Sequence, residues 1–155
     1  MIMELVEAEF EVPGWLIARG QFVLDVGGEG RHPAAWNLNR RQERSGAGRS
    51  AGPIPRLILA RTDAMPLADG TVDLAIVERT PLRAEALREL NRVVKPDGAI
   101  LLRHAITPAG DPHRVARRYL GGTVARRVFV HRGHRIQETI IRLDRRAVRR
   151  FAEHA

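Results

Sequence analysis

The chain has 155 residues, no cysteine and a formal net charge of +8. That length suits one domain over residues 1–155 with a substantial core, and the missing cysteines exclude a disulfide framework and thiolate metal sites. No apolar run approaches the roughly 18–20 residues of a membrane span. Of 26 basic residues only Lys95 is lysine, and their excess is uneven. Residues 1–110 hold 14 basic and 14 acidic side chains, whereas 111–155 hold 12 arginines against Asp111, Glu138, Asp144 and Glu153. Such a basic C-terminal segment is either a surface for an anionic partner, nucleic acid included, or a solvated arginine-rich face. No aromatic or RNA-binding motif accompanies it, which favours the solvated face.

The opening stretch MIMELVEAEFEV carries acids where a secretory signal carries basic and apolar residues. A cytoplasmic protein without membrane association is expected. Residues 3–10 and 14–19 read as short helices around Pro13-Gly14. Phe22–Val26 reads as a buried parallel strand, followed by a glycine-rich turn. Ala35–Leu38 reads as a second strand, residues 40–56 as a polar loop, and Leu57–Ala60 as a third strand. Val72–Val77 is a fourth strand candidate. Thr80-Pro81 offers an N-cap and a first-turn proline to a helix running to Val94. Lys95-Pro96-Asp97-Gly98 ends that helix before a fifth strand, Ala99–Leu102. Asp111-Pro112 opens a helix to about Leu120, two strands at 124–131 and 135–143 flank Arg132-Gly133 as a hairpin, and the tail from Asp144 reads as a basic helix or frayed end.

Strands alternating with helical or loop connections imply an α/β fold: a Rossmann-like open, mostly parallel sheet with a C-terminal antiparallel hairpin. Only Arg31–Ala34 separate the glycine turn from the next strand, too few for the helix that normally covers a parallel crossover. The helix after the first strand is therefore expected to be missing, leaving one sheet face uncovered and open to a homo-oligomeric contact.

Three stretches together resemble the class I S-adenosylmethionine-dependent methyltransferases. FVLDVGGEG (22–30) is similar to a first motif of strand, acid and glycine turn. ARTDAMPLADGTVDLAIVERT (60–80) and ALRELNRVVKPDGAILLRHA (86–105) resemble the family's later strand and helix–turn–strand segments. The resemblance implies a cofactor, S-adenosylmethionine, with its amino-acid portion against the backbone of Gly27, Gly28 and Gly30. It implies that Asp25 orients the turn or meets the cofactor's ammonium through water. Asp63 would accept from the adenine amino group, with Ala64 and Met65 beside the ring. Glu78 would face the methyl acceptor, or else pair with Arg79, Arg83 or Arg103. His104 is a candidate general base near the same rim.

The first motif departs from the family pattern. Aligned without a gap, Glu29 and Arg31 stand where glycines are usual. Arg31 would offset the charge of Glu29 against the cofactor carboxylate, while a one-residue gap would keep the glycines in line. The acid that usually holds the ribose hydroxyls is absent, and Asn37 and Asn39 occupy that neighbourhood. The scattered histidines make no metal site, so no metal is expected. The implied activity is methyl transfer to an unidentified small-molecule or macromolecular acceptor. The alternative is an inactive methyltransferase-fold scaffold whose basic segment binds a partner.

Overall fold

The computed structural model describes residues 3–4, 11–45, 51–78 and 80–143. Eight strands form one sheet: β1 (Met3–Glu4), β2 (Val23–Val26), β3 (Ala35–Asn39), β4 (Leu57–Leu59), β5 (Val72–Val77), β6 (Val94–Ala105), β7 (Thr123–His131) and β8 (His134–Arg142). Their order is β1-β7-β8-β6-β5-β2-β3-β4. Pairing is parallel from β4 through β6 and antiparallel where β8 meets β6 and β7. This is the Rossmann-like fold expected, with its antiparallel hairpin at the C-terminal end. Strand order reverses beside β2: the chain first builds outward to β3 and β4, then returns to place β5 on the other side. Ligands of open α/β sheets sit outside the strand carboxyl ends at such a switch.

Alternation along the strands divides the core between two faces. Leu24, Val26, Ala75, Val77, Ile100 and Leu102 face α1 (Ala84–Val93) and α2 (Arg114–Leu120), whose Leu87, Leu90, Ala116 and Leu120 complete that layer. Val23, Ala35, Leu74, Ile76 and Leu101 point the other way, where Leu16, Val12 and Ile17 pack on them. Both faces being covered explains the continuous apolar runs of β2 and β5. The face expected to be open after loss of the helix is covered in part by the segment around a short 3-10 turn, Gly14–Leu16.

Among the described residues no helix joins β2 to β3, as the spacing predicts, or β3 to β4. Elsewhere boundaries move. Met3–Glu4 pairs in parallel with β7 instead of opening a helix, and the rest of that reading, like the tail from Asp144 and Arg79, lies outside the described residues. Helix α1 begins at Ala84, not Thr80, because the Thr80 hydroxyl donates to the Val26 carbonyl at 3.2 Å and caps nothing. Residues 95–98 do not end a helix before a strand. They bulge from β6, since Val72 pairs with Val94 and Leu74 already with Ala99. The hairpin turn stands as read, with Arg132 and Gly133 both at positive φ (49° and 78°), as a two-residue turn of this hand requires. No helix among the described residues is long and apolar enough to cross a membrane.

The bulge needs Gly98, because a Cβ there would meet Val94 Cγ1 at 2.7 Å and the Lys95 carbonyl at 2.8 Å. Gly98→Ala is expected to cost about 1–3 kcal/mol, the usual range for overpacking, read as a lower urea midpoint at unchanged slope.

Candidate functional site

The turn after β2 is built around its neighbours. Gly27 has φ +77°, and a Cβ on it would collide with the Thr80 hydroxyl. Its amide donates to the Leu38 carbonyl at 2.7 Å, the Gly28 amide to the Asp25 carbonyl at 3.2 Å, and the Gly30 amide to Asn37 Oδ1 at 3.1 Å. The three glycine N–H groups are therefore spent inside the protein, so the turn does not offer them to a guest. Asp25 and Asn37 are buried, and Asn37 Nδ2 donates to the Pro55 carbonyl at 2.8 Å. Both hold the turn from beneath.

Above the turn lies a cavity of about 730 Å³, within the range of small-molecule sites. Gly27 and Glu29 of the turn line it, with Asn39 at the end of β3, Arg40 and Arg41 after it, and Arg61, Thr62 and Asp63 after β4; Thr80, Pro81, Arg83 and α1 close it. Of the expected site residues, Gly27 and Asp63 reach this cavity. Asp25, Gly28, Gly30, Arg31, Asn37, Ala64, Met65, Glu78 and His104 do not line it. Met65 is buried, with its amide donating to Glu89 Oε1 at 2.8 Å, and Ala64 is exposed.

The lining side chains restrain one another. Arg61 grips Asp63 through two bonds of 2.9 and 2.8 Å. That grip, with a contribution from the Arg40 charge, holds the Asp63 carboxyl below its ordinary value. Glu29 accepts from the Ser45 amide at 3.0 Å and its hydroxyl at 3.1 Å, so its carboxylate ties the following loop to the turn. Asn39 Nδ2 donates to the Gly28 carbonyl at 3.1 Å while its Oδ1 accepts from the Arg41 amide at 3.0 Å. Thr80, read from the sequence as a helix cap, is the wall residue that the glycine makes room for. Asn39 was read from the sequence near the place of the absent ribose acid and Arg61 only as a strand end, and their convergence depends on the β2-β3-β4 order.

Opposite the cavity, a chain of ions fills the sheet face that the missing helix leaves. Glu78 accepts from Arg31 at 3.1 Å and Arg103 at 3.1 Å, and pairs with His32 at 2.9 Å. Arg103, 1% exposed, continues to Glu138 at 2.8 Å, which also binds Arg127 at 2.8 Å. Burial pushes the Glu78 carboxyl up, but the His32 hydrogen bond and the neighbouring Arg103 and Arg31 guanidiniums outweigh it, so it ionises below its ordinary range. Of the two alternatives for Glu78, the structure shows pairing with Arg103. Arg31 is engaged here with Glu78.

On the α1 face, His104 Nε2 lies 2.9 Å from the Thr80 carbonyl and Nδ1 lies 2.8 Å from His113 Nε2; His113 Nδ1 meets the Thr139 hydroxyl at 2.7 Å. A carbonyl only accepts, so Nε2 of His104 carries hydrogen and the direction of the chain follows: Thr139 donates to His113, His113 to His104, His104 to Thr80. Both rings are neutral in this arrangement. Burial lowers the His104 pKa, and burial together with the His104 ring brings His113 down to about 3. His113 carries no sequence signal of its own; it stands at the N-cap of α2 and reaches His104 on β6 and Thr139 on β8, two strands that pair side by side. Among the described residues no three metal-ligating side chains converge.

Comparison with known proteins gives this arrangement its class. A family model described as a methyltransferase domain matches residues 26–102, about half of the chain. The 1,6-didemethyltoxoflavin-N1-methyltransferase of Burkholderia thailandensis, solved with 1,6-didemethyltoxoflavin and S-adenosylhomocysteine, superimposes with a TM-score of 0.59 at 14% identity, covering 81% of this chain and 72% of that one. A 16S rRNA (adenine(1408)-N(1))-methyltransferase from Catenulisporales acidiphilia, solved with its cosubstrate S-adenosylmethionine, gives 0.53 at 17% identity, covering 81% and 86%. An S-adenosylmethionine-dependent methyltransferase from Methanosarcina mazei gives 0.56 at 13%, covering 83% and 96%. No curated protein matches the sequence significantly. The chain belongs to the class I S-adenosylmethionine-dependent methyltransferase family.

Two measurements check these networks. Arg103→Ala leaves Glu78 and Glu138 buried with fewer partners and is expected to cost about 3–5 kcal/mol in chemical denaturation. For His113, the unfolded ring takes a proton near pH 6.5, whereas the folded ring resists to about 3. The unfolded state then binds more protons, so stability falls as pH drops through that window, by up to about 1.4 kcal/mol per unit. Depressed Glu78 and Asp111 act with the same sign at lower pH, below the ordinary carboxylate range. His113→Gln, although less stable at neutral pH, is expected to show a shallower decline from about pH 6.5 to 4.5.

Proposed function

We propose that this chain binds S-adenosylmethionine in the cavity between Gly27 and Asp63 and transfers its methyl group to an acceptor. The observation that supports this reading is the cavity itself, of about 730 Å³ at the switch in strand order, in a chain of the methyltransferase family. The lining fits the cofactor's chemistry. Asp63 offers a carboxylate to the adenine amino group beside its bond to Arg61. Glu29 and Arg83 give an acid and a base for the ammonium and carboxylate of the amino-acid portion, near Gly27 and Thr80. Asn39 stands between, at the ribose. The cofactor supplies a methyl carbon activated by its sulfonium.

The chain's task in such a reaction is alignment of acceptor and methyl carbon. Glu78 and His104 serve it in this reading as positioning residues. Glu78 fixes the turn through Arg31 and His32, and His104 fixes Thr80 through its carbonyl. The acceptor is a small molecule or a macromolecule, as in the toxoflavin and ribosomal RNA enzymes of the same fold. The scaffold alternative has no observation that favours it over this one.

Calorimetric titration with S-adenosylhomocysteine tests the site. Binding by the wild-type chain, weakened about tenfold or more by Asp63→Ala as expected for a charge-assisted hydrogen bond, supports the assignment. Asp63 is exposed and outside the core, so the urea midpoint should barely move. Equal affinity in both proteins would remove Asp63 from the site, and no binding by either would remove the cofactor.

A further inference from the structure

The cavity has more positive charge over the end of β3 than the proposed cofactor explains. Strands β2, β3 and β4 lie side by side in that order. A ligand reaching from Gly27, after β2, to Asp63, beyond β4, therefore has its middle over the end of β3. In the orientation given above, on which this inference rests, that middle is the ribose.

What β3 presents there is Asn39, Arg40 and Arg41, all lining the cavity. Nucleotide sites of this sheet type hold ribose hydroxyls with an acid near the second strand's end, and use a nearby arginine where the ribose carries a phosphate. Here the acid is absent, and Asn39 is committed to the Gly28 carbonyl and the Arg41 amide. Arg40 and Arg41 are exposed, and no carboxylate of the described residues forms an ion pair with either. Asp63, the lining acid beyond β4, is gripped by Arg61 and meets Arg40 only as a neighbouring charge. S-adenosylmethionine has one anionic group, its carboxylate, at the end away from adenine. It therefore gives Arg40 and Arg41 nothing to bind.

We propose that this cavity also takes an adenosine ligand phosphorylated on its ribose, with Arg40 and Arg41 as the phosphate clamp, in competition with the methyl donor. A guanidinium matches a phosphate with paired, charge-assisted hydrogen bonds, and two adjacent ones suit a dianion. The ligand class is a nucleotide with a 2′- or 3′-phosphate. A 5′-phosphate would instead point toward the turn, where Glu29 stands.

The test is a set of titrations of the full chain with adenosine, its 2′-, 3′- and 5′-monophosphates, and S-adenosylhomocysteine. The 2′- or 3′-monophosphate is expected to bind at least about tenfold more tightly than adenosine, with affinity falling as salt rises, and to be displaced by S-adenosylhomocysteine. An Arg40→Gln/Arg41→Gln double variant, whose exposed positions leave the core untouched, should lose that gain while S-adenosylhomocysteine affinity shifts little. Equal affinity for adenosine and all three monophosphates, or a gain that survives in the double variant, overturns the inference; bound S-adenosylhomocysteine would then leave the methyl-donor reading standing. A ribose-phosphate gain that depends on both arginines, without any binding of S-adenosylhomocysteine, supports the clamp and overturns the donor reading. Binding of none of these probes overturns both.

Discussion

The contact between Gly27 and Thr80 is the constraint on which the rest of the site depends. With a side chain at 27 the Thr80 hydroxyl would have no place, and its bond to the Val26 carbonyl would be lost. That bond joins the end of β2 to the connection leaving β5, the two strands between which the order reverses. The Thr80 carbonyl is in turn held by His104 on β6, and through His113 by Thr139 on β8. Four strands thus fix one wall of the cavity through polar groups whose hydrogens all run in one direction. Burial favours neutral rings here, and neutrality is what lets each ring donate on one side and accept on the other.

A second consequence follows from the eight residues that replace a crossover. A helix between β2 and β3 would have covered the second sheet face with apolar side chains. The short turn instead sends Arg31 and His32 over that face, where they meet Glu78 and, through it, Arg103 and Glu138. Buried ions are costly to desolvate, and an array like this recovers the cost only when each charge is matched. Arg103 is: its guanidinium reaches both carboxylates and the Glu11 carbonyl, at 2.7 Å. The same carbonyl ties the segment that packs Leu16 on the sheet. Loss of one helix is therefore answered by polar as well as apolar cover. The turn stays fixed although no helix follows it.

The fold was legible in the sequence because parallel strands buried on both faces read as apolar runs, and β2, β3, β4 and β5 were found within a residue or two. The missing helix was legible from spacing alone. What the sequence hid depended on tertiary partners. Thr80-Pro81 has the composition of a helix start, but a hydroxyl that finds the Val26 carbonyl cannot also cap. Lys95–Gly98 has the composition of a stop, but β6 resumes on the same neighbour and makes the stop a bulge. Of the residues that the family resemblance marks, Gly27 and Asp63 line the cavity. Their surroundings could not be read that way: whether Arg31 faces a ligand or Glu78, and whether a glycine amide is open or spent, is decided by which strands lie side by side.

Charge shows the same limit. The net +8 belongs to the C-terminal segment in sequence, yet β7 and β8 stand across β6 and β5 from the strands that bear the cavity. Much of that charge is also used locally. Arg117 and Arg126 share Asp111, Arg127 is bound to Glu138, and Arg142 donates to the Asp97 carbonyl at 2.6 Å. The cations that line the cavity come instead from residues 1–110, whose charges sum to zero, because Arg40, Arg41, Arg61 and Arg83 are gathered by topology around one opening. A field in a cavity is set by the few charges that line it, with low-dielectric walls to concentrate them. Net charge per segment describes solubility and long-range attraction; the field inside this cavity is set locally, as at the end of β3, where an amide and two guanidiniums stand in place of an acid.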